Sequence, residues 1–278
     1  MAILSVDLSC RRWADVGVVI LSRVQQQGKV RFGRAPAVTI GCEIVAFGPP
    51  GLESEPGRLP SAREPVDAEI LAGRLNHLCA MREIRVMMLD GPQAWKSVGN
   101  GLAYARGCER QLNISTKTGL PGMAKPGPYR HFAEFCMDLY DALCRRGWRR
   151  LETHASPARS EPAEAAGQRV LVESYPHAAW RSLGLKPLVA KRRARVSDLA
   201  EAYAALRTVA PIVTNRPPNH DQLQAIVAGL PGLALEAHDP AGVRIVGNPP
   251  RREAGHWREG YIVLPLPPSA PVPLRWLN

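Results

Sequence analysis

Three acidic residues stand at or near the carboxyl ends of short apolar runs: Asp7 in Ile3-Leu4-Ser5-Val6-Asp7-Leu8, Asp90 after the run from Ile84 to Leu89, and Glu173 after Val170-Leu171-Val172. In an open parallel α/β sheet, that edge of the strands is where ligands bind. An acid in an otherwise apolar strand is costly unless it is paired or coordinates a metal, so three such placements point to a shared purpose. A fourth, Asp221, opens a helical segment expected over 219–230. Gln224 follows it about 60° round the helix, and Ala225 and Ala228 form a small-residue face that lets the helix approach a sheet closely. Asp7, Asp90, Glu173 and Asp221 are therefore expected to converge as catalytic and metal-ligating groups, and hard oxygen donors of this kind suit Mg²⁺ or Mn²⁺. Each also has a plainer reading. Asp7 can cap a hairpin turn, Asp90 in Asp-Gly-Pro is a stock turn-former, Glu173 can pair with an arginine, and Asp221 suits the first turn of any helix.

Carboxylates holding two divalent ions would hydrolyse a phosphodiester, one ion activating water and the other stabilising the leaving oxygen. Arg106 and Arg110, on the segment after Asp90, are expected to bind substrate phosphate, because guanidinium forks match phosphate oxygens. Lys117 and Lys125 lie on the same segment, and Lys186 and Lys191 follow the Glu173-Ser174-Tyr175-Pro176 turn with a similar expected role. The alternative for the arginines is contact with solvent or Glu109. Trp95 and Tyr175 can stack on unpaired bases or sit at the rim of the core. His220, beside Asp221, can move a proton or simply flank a helix cap.

The elements that must position these residues read as β-β-β-α-β at first. Ile3 to Leu8 and Val16 to Leu21 form a hairpin, a third strand spans 38–47, a helix spans 66–82, and a β run leads to Asp90. A long irregular segment, 91–128, follows, and such length inside a compact domain usually means a functional loop. Phe132, Phe135, Cys136, Leu139 and Leu143 make 129–146 an amphipathic helix. A short strand at 170–173 precedes a Pro-terminated turn at Tyr175-Pro176. Helices at about 190–209 and 219–230 and short strands at 244–246 and 261–264 close the fold. Loops at 48–65 and 154–167 and a Pro-rich tail over 266–278 read as surface segments, so the expected organisation is one domain over 1–265 with insertions.

Taken together, Val6-Asp7-Leu8-Ser9, Leu89-Asp90-Gly91-Pro92, Arg106-Gly107-Cys108-Glu109-Arg110, Val172-Glu173-Ser174-Tyr175-Pro176 and His220-Asp221-Gln222-Leu223-Gln224-Ala225 resemble the predicted ribonuclease H-like nucleases gathered as domain-of-unknown-function family 429. The resemblance spans residues 3 to 265. It implies an α/β ribonuclease H-like fold with a mixed five-stranded central sheet flanked by helices, in which Asp7 and Asp90 are neighbours that bridge metals and Asp221 is the closing-helix ligand. Related junction resolvases carry Asp-x-x-Asp-Ala on that helix, and here Gln224 stands at the second carboxylate. A neutral carbonyl there lowers metal affinity, which Glu173 would have to offset.

The whole chain has 36 Lys and Arg against 25 Asp and Glu, a net charge of +11, and 45% hydrophobic residues. That charge concentrates polyanions near the surface, so DNA or RNA is the expected partner. Six cysteines include no C-x-x-C pair and sit mostly in apolar segments, which indicates neither a zinc knuckle nor a disulfide framework. No apolar stretch approaches a membrane span. The expectation is a soluble cytoplasmic protein that does not engage a membrane. No phosphate-binding G-x-x-x-x-G-K-[ST], nucleophile elbow or dinucleotide fingerprint occurs. Metal-dependent hydrolysis of nucleic acid leads. Its alternatives are a catalytically weakened nucleic-acid-binding or regulatory protein on the same scaffold and an ATP-dependent phosphotransferase, the last lacking a Gly-rich phosphate loop.

Overall fold

The computed structural model describes residues 1–25, 38–48, 64–152 and 168–267. The expected loops at 48–65 and 154–167 and the tail over 266–278 fall, apart from a few end residues, outside them. Three antiparallel strands open the chain: β1 (Ala2–Asp7), β2 (Gly17–Gln25) and β3 (Val38–Ile44). Helix α1 (Ala68–Met81), whose first turn is capped by the Asp67 side chain, leads to β4 (Val86–Asp90), which runs parallel to β1. Next come α2 (Gly107–Gln111), the two-residue strands β5 (Lys117–Thr118) and β6 (Ala124–Lys125), α3 (Tyr129–Arg145), β7 (Trp148–Arg150) and β8 (Arg169–Ser174). Helices α4 (Pro176–Ser182) and α5 (Val196–Val209), strand β9 (Ile212–Thr214), helix α6 (His220–Glu236) and the hairpin of β10 (Val243–Glu253) and β11 (His256–Pro265) complete the order.

The main sheet is mixed and nine-stranded, in the order β10-β11-β8-β4-β1-β2-β3-β9, with β7 pairing the first half of β8. It is wider than the five strands expected, because β9 extends one edge and the β10–β11 hairpin the other. Strands β1, β4 and β8 are mutually parallel at its centre. Side chains alternate across them, as the strand period requires. Ile3, Met88 and Val172 share one apolar cluster with Leu223, Ile226 and Leu230 of α6; Leu4, Val6, Met87, Leu89 and Leu171 share another with Leu71 and Leu75 of α1 and Leu139 and Leu143 of α3. The central strands are thus covered on both faces, and their continuous apolar sequences reflect it.

Several expectations are corrected. The Tyr175-Pro176 turn is the start of α4, with Pro176 at a first-turn position where its missing N–H costs nothing. The helix expected to end at Leu230 runs through Pro231 to Glu236, because Leu233, Ala234 and Leu235 are buried against the sheet. Helix α5 begins at Val196 and not near 190; Lys191–Arg193 form a separate 3-10 turn. Strands β7 and β9 and helix α2 are too short to show a period.

The segment 91–128 is not an open flap. Buried carboxylates hold it to the sheet. Glu259, wholly buried, accepts from the Ser97 and Gly107 amides at 2.9 and 2.8 Å and from Asn100 Nδ2 at 2.6 Å. Glu109 accepts from the Thr118 hydroxyl at 2.5 Å and from Arg106 Nε at 3.0 Å. No helix among the described residues is long and apolar enough to cross a membrane.

Candidate functional site

Strand pairing sets Asp7 and Asp90 directly side by side at the carboxyl ends of β1 and β4, and the next residue in that row is Ser174 on β8. On its other flank Asp7 faces Gly17, the first residue of β2. A Cβ at Gly17 would lie 2.5 Å from the backbone carbonyl of Asp221, so the absent side chain is what lets the first turn of α6 descend onto β2 beside Asp7. Farther along α6, Gly229 lies over Ser5 and Gly232 over Met88 with equally little room, which extends the small face begun by Ala225 and Ala228. The sheet edge and this close-packed helix together bring Asp7, Asp90 and Asp221 to one place.

Asp7 and Asp90 both keep part of their surface open to solvent at the sheet rim. Their carboxyls lie within hydrogen-bonding reach of each other. Desolvation, then the charges of Asp90 and Asp221, push the Asp7 carboxyl well above the usual carboxylate range. Asp90 is also raised, to about 7, first by desolvation and also by the field of Glu173, against the Asp7 hydrogen bond that lowers it. Two adjacent carboxyls of this kind share a proton until a cation replaces it. Ser174 Oγ, buried beside Asp90, has no hydrogen-bond partner among the described residues.

Asp221 is buried and ion-paired to Lys191, whose ammonium also reaches Asp15 Oδ1 at 2.7 Å. Asp15 sits in the 3-10 turn Trp13–Asp15 of the β1–β2 connection and is gripped by Arg12 at 2.7 and 3.0 Å. Burial pushes the Asp15 carboxyl up, but the hydrogen bonds from Lys191 and Arg12 outweigh it and hold it below its ordinary value. Partial burial opposes the Lys191 charge; its bonds to Asp15 and Asp221 prevail and raise its pKa. His220 Nε2 lies 3.0 Å from the Val189 carbonyl, with Nδ1 3.4 Å from Asp221 Oδ1. Gln224 Oε1 accepts from the Trp180 indole N–H at 2.9 Å.

Glu173 does not join the row. It pairs with Leu89, one residue out of step with Asp90, and therefore faces α3, the opposite side of the sheet. There Arg106 forks onto it through two 2.7 Å bonds, and the Gln93 amide donates at 3.0 Å. Arg106 is 1% exposed and spends its remaining Nε on Glu109, so its fork is closed to a phosphate. The expected substrate contact at Arg106 is replaced by a structural one, because two buried carboxylates need a buried cation. Arg110 and Lys186 are exposed. Lys191 lies at the site, though its nearest partners are carboxylates. Lys117 donates to the Glu109 carbonyl at 3.1 Å, and Lys125 stands 4.3 Å over the Tyr104 ring. Trp95 is buried, with its amide bonded to the Trp257 carbonyl, whereas Tyr175 stays half-buried within the field of Asp90. Asp15 and Ser174 stand at the site although neither is among the residues that the sequence singles out. Ser174 follows Glu173 in sequence, so only the pairing register separates them.

Among the described residues, no three His, Cys, Asp or Glu side chains form a ready-made metal cluster. The Asp7 and Asp90 pair nonetheless offers hard oxygen donors at a solvent-reached rim, the chemistry of Mg²⁺ or Mn²⁺, which take one or two protein carboxylates and complete their shell with water or phosphate oxygens.

No family model matches the chain, and no curated protein matches it. The resemblance carried by its short motifs therefore rests on those motifs. A solved structure of Thermus thermophilus RuvC aligns with 86% of this chain and 98% of its own length, at 10% identity and a TM-score of 0.35. So loose an overlap does not assign the fold.

Proposed function

We propose that this chain is a divalent-metal-dependent hydrolase of nucleic-acid phosphodiesters, built as one ribonuclease H-like domain over 1–265. The reading of the fold rests on the order β3-β2-β1-β4-β8, with β2 alone antiparallel to its neighbours and acids at the ends of the first and fourth strands. The observation that carries the function is the Asp7–Asp90 pair: two carboxyls in register on adjacent strands, close enough to raise each other's electrostatic cost and still reached by solvent.

Asp7 and Asp90 would hold the Mg²⁺ or Mn²⁺, which supplies Lewis-acid polarisation of the phosphodiester and activation of water. Asp221 and Ser174 border that position, and Lys191 sets a fixed positive charge beside it. The surface excess of Arg and Lys would draw the polyanion in. Six free cysteines, five of them buried, suit a reducing cytoplasm.

The test is a cleavage screen in Mn²⁺ and Mg²⁺ on branched, duplex and single-stranded DNA and RNA, with Asp7→Asn and Asp90→Asn beside the wild type. The expected result is metal-dependent cutting of at least one substrate and its loss, by about 10³-fold or more, in both variants with binding retained. One feature favours a second reading, a binding protein that does not cut: Asp221 is already neutralised by Lys191, and Gln224 is committed to Trp180. Salt-sensitive binding by the wild type without cutting would select it.

A further inference from the structure

The charges around the site balance in a specific way. Four carboxylates face it: Asp7, Asp15, Asp90 and Asp221. Two side-chain cations of the described residues stand among them, Arg12 bidentate on Asp15 and Lys191 between Asp15 and Asp221. Glu173, whose field also reaches Asp90, lies outside this cluster on the opposite face of the sheet, where it shares the Arg106 cation with Glu109. With every carboxyl ionised, the cluster is left with the two charges of Asp7 and Asp90, the adjacent pair to which no cation is bonded among the described residues. A single divalent ion removes that excess completely. A second would have to take Asp221 from Lys191.

Geometry supports the same division. Lys191 belongs to a 3-10 turn between α4 and α5 and reaches the site from outside the sheet. It bridges the β1–β2 connection, through Asp15, to the first turn of α6, through Asp221. Its field also reaches Asp7. Its side chain is 44% exposed, so the ammonium is not trapped there by packing; the two carboxylates hold it. An ammonium is a compact point charge with three donors, able to serve two carboxylates and still present a donor to a phosphate oxygen.

We infer that the site takes one divalent ion, at Asp7 and Asp90, and that the Lys191 ammonium occupies the place of a second ion at Asp221 and Asp15. This rests on the metal-site reading above and replaces the two-ion mechanism expected from the sequence. Lys191 is then a positioning residue that fixes Asp221 and keeps the second cation position filled without metal.

Manganese stoichiometry tests it, read by calorimetric titration and by electron paramagnetic resonance of the bound ions. Wild-type protein should take a single Mn²⁺ and show no coupling between ions. Lys191→Met, which keeps the length of the side chain without its charge, should take a second ion, doubling the stoichiometry and producing an exchange-coupled signal. Lys191→Arg should keep the single ion and serves if Lys191→Met is poorly folded. A wild-type chain that takes a coupled pair, or a folded Lys191→Met chain that still takes one ion, overturns the inference and leaves the metal site standing. A wild type that binds no Mn²⁺, or binds it equally well after Asp7→Asn, removes both.

Discussion

At the scale of single residues, the chain tolerates an arrangement that destabilises it. Asp7 and Asp90 have folded-state pKa values above their ordinary ones, so the folded chain holds protons that the unfolded chain would release. Stability from these groups is therefore present at low pH and lost as pH rises from the ordinary value of 3.8 through about 7 at Asp90. Asp90→Asn removes the repulsion while keeping the shape. In chelator at about pH 8, it should raise stability by about 1 kcal/mol or more, roughly 2–4 °C in Tm, with little gain at about pH 4. Thermal melts at the two pH values check this, and a loss at the higher pH would speak against the pair. Which residues could be read beforehand follows the same physics. An acid closing an apolar run is conspicuous, so Asp7 and Asp90 stand out from the sequence, and Asp221 does so by its place in the first turn of a helix. Glu173 stands out equally but faces the wrong side, since a one-residue offset with Asp90 exchanges it for Ser174. Lys191 to Asp15, and Arg106 to Glu173, are partners across 176 and 67 residues, which no local pattern encodes.

At the scale of elements, the decisive contact is between α6 and the first hairpin. Gly17 has no Cβ because the Asp221 backbone occupies that space, and the fit fixes where Asp221 stands relative to Asp7. Gly17→Ala places a methyl 2.5 Å from a main-chain carbonyl that cannot rotate away, so the first turn of α6 must lift. The expected cost is about 1–3 kcal/mol in urea unfolding, with weakened Mn²⁺ binding. Gly99→Ala, where nothing lies within 4 Å, should stay within about 0.5 kcal/mol of wild type and serves as the control. The long periodic elements α1, α3 and the first two strands match their expected positions closely. Elements of two to seven residues, such as β7, β9, α2 and α4, are held by tertiary pairing and carry no period of their own. The helix continues past Leu230 because the burial of Leu233 and Leu235 outweighs the helix-breaking tendency of Pro231.

At the scale of the whole molecule, one face of the sheet carries the site and the other carries its support. On the α3 side, Arg106 ties Glu173 and Glu109 together, and Glu259 ties the 91–128 segment to the β10–β11 hairpin. The buried ion pairs of Arg106 stand where a phosphate clamp was expected and tie the segment after β4 to β8 on the face opposite the site. On the α6 side, Asp7 and Asp90 open to solvent, with Ser174 buried beside them, on a molecule of net charge +11, a field suited to drawing a polyanion toward its acids only if a cation sits on them. That condition makes occupancy of the pair the central question. Crystals grown in MnCl₂ answer it through the anomalous signal of manganese. The expected map has a peak bonded to a carboxylate oxygen of both Asp7 and Asp90, with no proton shared between them. A map with no peak there, and the two carboxyls still sharing their proton, would contradict the account.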